Sequence, residues 1–374
     1  MNCKTRTSNR PPSAREDPVA QRGKPTDLSA LYRWLRDQSR RSCWRNWRWQ
    51  LRESLWTDDL DRLGLLSAAA RRAARIQPAR VTPYLLKQSL TSKGLDPTDP
   101  IVRQWMPDAR EWTGSGGSAD PFNEMRACPV PGVVQRFRDR VLAMANDQCA
   151  THCRHCTRRH TLPAQTGVRT TADLRRVLAF LRASPRVREA ILSGGDPFLL
   201  DDTALLRMVR ALTALPQIDA VRIGTRVPVV LPMRVTPALA RGLGASGRVW
   251  VNTQFNSVRE ITPEAAEACG RLVDAGIPVS NQSVLLRGVN DTTEDMVALC
   301  AALQRNRIRP YYVFLCDDVS GTGHLRVSNR RARAIADGVA RRLGGLAVPR
   351  FVADLPGAPY KMPIDRERES ACRR

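Results

Sequence analysis

The segment VLAMANDQCATHCRHCTRRH, residues 141–160, carries the reading on which the fold turns. Its first seven residues are β-prone, largely apolar and closed by Asn146-Asp147, as in a short buried strand that meets a turn. Three cysteines follow at once, Cys149, Cys153 and Cys156, spaced C-x3-C-x2-C. A strand that opens at its carboxyl end into a ligand-rich loop is the habit of α/β proteins, whose chemistry collects there.

The same texture repeats downstream. AILSGGD (190–196), AVRIGTR (220–226), VWVNTQF (249–255), VSNQSVLL (279–286) and YYVFLCD (311–317) recur at intervals of roughly 30 residues. Amphipathic helical stretches such as TADLRRVLAFLRAS and TTEDMVALCAALQRN lie between them. Six strand–helix units in a row indicate a parallel sheet covered by helices. No Gly-rich dinucleotide fingerprint follows the first strand, so a barrel, complete or partial, is expected in preference to a Rossmann sheet. Polar residues gather at the strand ends: Gly194-Gly195-Asp196, Thr225-Arg226, Gln254, Asn256 and Asp317-Asp318.

The flanks divide the chain further. Residues 1–27 are polar and rich in Pro and Arg and are expected to form a disordered basic tail. Residues 28–120 form a helical region to about Lys93, then a Pro/Gly/Ser-rich loop; 121–345 form the barrel and 346–374 a C-terminal segment. Trp34, Trp44, Trp47 and Trp49 read as packing residues of the helical part. No run of about 18 apolar residues is present, and the N-terminus lacks the apolar core of a secretion signal. A soluble cytoplasmic protein is the expectation. The net charge is +24, but only five of the 60 basic residues are lysines. An Arg excess spread along the chain reads as general basic character, so nucleic acid is not the expected partner.

Seven of the ten cysteines are scattered, as reduced thiols are in a cytoplasmic protein. The other three can wrap one iron–sulfur cubane and leave its fourth iron open to a small molecule. Zinc is the competing metal, with His152, His155 or His160 completing a site. Structural zinc usually draws paired ligands from two segments, and no second Cys pair follows. Lys361, in LPGAPYKMP, is the only lysine after Lys93. A surface lysine is one reading. The other is a Schiff-base amine, a role arginine cannot take.

The cysteine spacing resembles the radical S-adenosylmethionine superfamily, and a more specific resemblance covers about four-fifths of the chain. WRNWRWQLR (44–52), DPFNEMRACPVPGVVQRFRDRVL (120–142), CRHCTRRH (153–160), SGGDPFL (193–199), RIGTRVPVVLPMRVTP (222–237), NQSVLLRGVND (281–291) and DLPGAPYK (354–361) together are similar to lysine 2,3-aminomutases. The resemblance implies a partial (βα)6 TIM-like barrel of the radical S-adenosylmethionine type, behind an N-terminal helical region, in which Cys149, Cys153 and Cys156 hold a [4Fe–4S] cluster. His155, Ser193, Gly194, Gly195, Asp196 and Gln254 would meet S-adenosylmethionine. Lys361 would carry pyridoxal 5′-phosphate, with Arg136 and Arg140 on its phosphate. Arg158 would hold the substrate carboxylate, and Asp291 and Asp354 its distal ammonium.

The implied reaction moves the α-amino group of L-lysine to C3, giving β-lysine, through a pyridoxal aldimine and a 5′-deoxyadenosyl radical. Two aspartates argue against glutamate as substrate and leave arginine as an alternative. Phe137 stands where the family has Tyr, and Ala358-Pro359-Tyr360 where it has glycines. Only thirteen residues follow Lys361, whereas longer aminomutases continue into a zinc-binding segment; with Cys372 the one cysteine there, no zinc is expected. The short tail is more like the lysine aminomutase that serves β-lysylation of elongation factor P. The implied partners are an amino acid, a flavodoxin- or ferredoxin-type electron donor and a second copy in a homodimer. From a different class, a radical enzyme that modifies RNA would share the cysteine motif and the basic charge but give Lys361 no role.

Overall fold

The computed structural model describes residues 24–92, 94–114, 116–162 and 170–364. The disorder expected of the tail therefore falls mostly outside the described residues. Residues 24–27 are anchored: Lys24 Nζ donates to Ser54 O (3.1 Å) and Asp59 Oδ2 (2.6 Å), and Asp27 Oδ1 accepts from Ala30 N to cap the first helix.

That helix, α1 (Leu28–Gln38), is followed by α2 (Trp47–Arg52), α3 (Thr57–Arg62), α4 (Ala68–Ala74) and α5 (Pro83–Ser89). The expected helical region is thus a set of short helices. It is broken where Leu55–Trp56 pairs antiparallel with Arg80–Val81, and it ends in the hairpin Leu90–Thr91/Gly94–Leu95. The tryptophans pack as expected. Trp34 stacks on Trp49 with ring centroids 5.8 Å apart, Trp44 is buried, and the Arg234 guanidinium lies 4.6 Å over Trp47. Arg234 follows the third barrel strand, so this contact ties the helical layer to the barrel.

The main sheet has nine strands in sequential order. Seven of them run parallel: β2 (Arg140–Asn146), β3 (Glu189–Gly194), β4 (Ala220–Gly224), β5 (Val249–Thr253), β6 (Val279–Leu285), β7 (Arg309–Leu315) and β8 (Arg350–Ala353). The antiparallel strands β1 (Val133–Val134) and β9 (Met362–Pro363) flank them. The six expected strands are all present, and Arg350–Ala353 adds a seventh parallel strand. Four residues are too short a run to stand out by pattern alone. Strands β1 and β9 do not pair with each other, so the barrel is open.

The covering helices follow from caps and spacing. In α6 (Thr171–Arg182), Thr170 and Asp173 form a reciprocal capping box, and Leu174, Val177 and Leu181 are buried on one face. The helices α7 (Asp202–Thr213), α8 (Pro237–Gly244), α9 (Pro263–Asp274), α10 (Thr293–Arg305) and α11 (Asn329–Arg342) repeat the plan. Their buried faces and the outer faces of the strands form one continuous apolar core. Each fully buried Leu or Val there contributes about 1.5–3 kcal/mol. That rigid frame holds the loops at the carboxyl ends of the strands.

Candidate active site

The cysteine loop leaves β2 at an irregularity of register between Met144 and Asn146. Asn146 then works twice: its Oδ1 accepts from Gln148 N (2.7 Å) and its Nδ2 donates to Asp196 O (2.7 Å). Gly195 N and Asp196 N donate in turn to Asn146 O and Gln148 O. A Cβ on Gly194 or Gly195 would collide with the carbonyls of Asn146 or Gln148, and Gly194 has φ +121°. The glycines of the SGGD turn therefore let two backbones touch at the root of the loop.

From the other side, Arg80 Nη1 donates to Cys149 O (2.7 Å) and Arg154 N to Gln104 O (2.8 Å). Beneath the loop Glu111 joins two arginines, accepting from Arg154 Nε at 2.8 Å and pairing with Arg159. All three of these side chains are fully buried. Glu111 lies in a segment that reads as loop, and nothing local in the sequence marks it.

The three thiols form one electrostatic group. Burial pushes Cys149 well above its ordinary pKa, and Cys156 and Cys153 push it further. Cys156 is raised by burial and by Cys153. Thiolates gathered in a low-dielectric site call for compensating positive charge, which a cluster supplies. Among the described residues no three His, Cys, Asp or Glu groups converge on a single ion.

The residues expected at the nucleotide divide in two. His155 is buried, burial lowers its pKa to about 3, and its Nε2 lies 2.9 Å from Gln254 Nε2. Its Nδ1 has no partner, and neither has the hydroxyl of Thr151 or Thr253. Such orphaned buried groups are what a missing polar ligand leaves behind. Asp196 is different. Its Oδ1 accepts from Thr225 Oγ1 and Phe198 N, and its Oδ2 from Arg226 N and Val227 N. Burial raises its pKa to about 6. The carboxylate fastens the turns after β3 and β4 to each other.

Lys361 lines a cavity of about 310 Å³ inside the barrel, together with Arg136, Arg140, Arg158, Ser193 and Asp354. Its Nζ pairs with Asp354 and lies 5.4 Å over the Phe137 ring and 5.5 Å over Phe314. Burial lowers the pKa of Lys361, and Asp354 opposes the shift. Burial would raise Asp354, yet hydrogen bonds from Arg136 and the charge of Lys361 hold it below its usual value. A buried amine with a lowered pKa, two guanidinium groups and aromatic walls fit a phosphorylated aromatic aldehyde. Arg158 enters from the cysteine side. Its backbone N donates to Cys156 Sγ (3.4 Å), while its side chain grips Glu124 (2.6 and 2.7 Å) and reaches Ser193 Oγ (3.2 Å). Glu124 was not singled out by sequence.

Asp291 lies elsewhere. It lines a separate cavity with Arg287 and Arg331, pairs with Arg331 (3.3 Å) and accepts from Gly288 N (2.9 Å). The positive φ of Gly288 turns this loop, and the turn uses the Asp291 carboxylate. The structure thus does not bring Asp291 to the Lys361 cavity. Asp317 stands nearer to it. Burial raises its pKa to about 7, and Asp354, Lys361 and Arg136 all act on it.

Comparison with known proteins extends this picture. Residues 146–300 match the Radical SAM superfamily. The L-lysine 2,3-aminomutase of Clostridium subterminale is 39% identical over 327 residues, covering 86% of this chain and 78% of that protein. The L-lysine 2,3-aminomutase of Acetoanaerobium sticklandii is 38% identical with the same coverage. The glutamate 2,3-aminomutase of Clostridioides difficile is 30% identical over 331 residues, 86% of this chain and 76% of that one. Identity of this extent, with a cysteine loop and a lysine cavity joined through Arg158, means that the chain belongs to the lysine 2,3-aminomutase family of radical S-adenosylmethionine enzymes.

Proposed function

We propose that this chain moves the α-amino group of L-lysine to C3 to give β-lysine. The family's cofactors are a [4Fe–4S] cluster, S-adenosylmethionine and pyridoxal phosphate. When bound, they supply a carbon radical able to take a hydrogen atom and an electron-accepting ring to carry the migrating nitrogen. Cys149, Cys153 and Cys156 would hold the cluster. His155, with an unpartnered Nδ1, and the SGGD turn would face the nucleotide. Arg140, and Arg136 once it leaves Asp354, would take the pyridoxal phosphate group and Lys361 Nζ its aldehyde, which would free the Asp354 carboxylate.

One observation carries the proposal: a single residue, Arg158, touches both centres. Its backbone contacts Cys156 Sγ, and its guanidinium lines the Lys361 cavity. A radical chemistry that must reach an amine-bound substrate needs that adjacency. Arg158 can offer a carboxylate two parallel donors once Glu124 yields them. Asp354, near Lys361, supplies negative charge for a cationic side chain, which favours lysine or arginine over glutamate.

The remaining assignments belong to the same proposal. They are a flavodoxin- or ferredoxin-type electron donor, a homodimer and a cytoplasmic site of action; the barrel expected over 121–345 would extend to include β8 and β9. No described helix is long and apolar enough to cross a membrane.

The test is anaerobic reconstitution followed by dithionite, S-adenosylmethionine and either L-lysine or L-arginine, with products separated by chiral chromatography. β-Lysine is the expected product. Lys361→Ala is expected to abolish both turnover and the absorbance band that pyridoxal phosphate gives with the wild type. Turnover of arginine alone would reassign the substrate. A band unchanged in Lys361→Ala would sink the role of that lysine.

A further inference from the structure

Arg226, at the end of β4, is used by none of the assignments above. Its Nη1 donates to Cys153 Sγ at 2.8 Å. Its Nη2 donates to Glu260 Oε1 at 2.8 Å and also reaches Gln104 Oε1. Its backbone N donates to Asp196 Oδ2 at 2.7 Å.

The groups that hold Arg226 are themselves held. Gln104 Nε2 donates to Glu260 Oε1 (3.0 Å), and the other carboxylate oxygen of Glu260 accepts from Asn256 N and Ser257 N. Glu260, Gln104 and Asn256 are buried. This guanidinium is therefore aimed, with little freedom to leave the sulfur. A guanidinium stays protonated in proteins, so the donor held at this sulfur carries a full positive charge.

We propose that Arg226 is a positioning residue that sets the reduction potential of the cluster through its charged hydrogen bond to Cys153. The proposal rests on the reading of the three cysteines as cluster ligands. Reduction adds one electron to the [4Fe–4S]2+ state and gives the 1+ state, so negative charge on the cluster and its thiolates grows. A fixed cation and an N–H donor at a ligand sulfur stabilise the more negative state more, which raises the potential and eases reduction. Because the same residue is bonded to Asp196 in the SGGD turn, the nucleotide side of the site and the cluster ligand share one rigid connection.

The experiment is an EPR-monitored potentiometric titration of full-length, anaerobically reconstituted protein, with dithionite as reductant and iron and sulfide measured on each sample. Arg226→Gln keeps much of the side-chain volume and removes the charge. Its ratio of reduced to oxidised cluster at a fixed potential is expected to fall about tenfold, a downward shift of about 59 mV for one electron. Arg226→Lys keeps the charge but not the fork, and its midpoint is expected between the two. An unchanged or raised midpoint in Arg226→Gln with full iron content overturns the proposal. If Arg226→Gln does not assemble its cluster, Arg226→Lys decides: a lowered midpoint supports the proposal, and a wild-type midpoint refutes it. A wild-type protein with no four-iron EPR signal would instead sink the reading of the cysteines.

Discussion

Arg136 and Asp354 join opposite edges of the open sheet through two parallel hydrogen bonds of 3.0 and 2.9 Å. Arg136 lies in the hairpin between β1 and β2, and Asp354 directly follows β8. The pair spans the gap that strand pairing leaves open. It also places a carboxylate against Lys361.

Removing that carboxylate is expected to change the titration of Lys361 in a defined direction. Burial lowers the pKa of Lys361; Asp354 raises it most, Arg136 lowers it and Asp317 raises it. In Asp354→Asn the main stabiliser of the ammonium is gone, so the amine should turn neutral at lower pH. Competitive acylation across a pH series, read by mass spectrometry, reports the reactive fraction of each lysine. A Lys361 profile unmoved, or moved to higher pH, would show that the pair is not coupled in solution.

Gly195→Ala is expected to empty the cysteine loop of its cluster. The new Cβ would collide with the Gln148 carbonyl, which is backbone and cannot swing aside. Reconstituted variant should carry far less than the about four irons per chain of a filled site. Gly323→Ala serves as the control, because nothing lies within 4 Å of its added Cβ. Equal iron content in both variants would contradict this account of the SGGD turn.

Glu111→Gln should destabilise the fold although Glu111 lines no catalytic cavity. The substitution leaves Arg154 and Arg159 buried without their shared carboxylate. Breaking a buried ion pair on one side costs about 3–5 kcal/mol. Denaturant unfolding would show this as a lower midpoint. Glu294→Gln, which removes the exposed pairing with Arg342, should leave the midpoint in place. Similar midpoints for the two variants would rule out the triad as a foundation of the cysteine loop.

How much of this was legible in the sequence varies residue by residue. The six strands and their helices followed from periodicity, because burying one face of each element imposes a local pattern. The cysteine triplet was legible because its ligands sit within eight residues of each other. Lys361 was legible because an Arg-biased chain retains so few lysines. Tertiary structure decided what spacing cannot carry. Glu111 meets Arg154, Glu124 meets Arg158, and Arg226 meets Cys153 across 43, 34 and 73 residues. Charge pairs at such separations leave no periodic trace, since the sheet and not the local chain brings them together. Asp291 shows the opposite case. Its motif is plain in the sequence, yet the turn at Gly288 and the pairing with Arg331 place it outside the Lys361 cavity. A motif names a residue type at a position, whereas backbone direction after the strand decides which cavity its side chain enters.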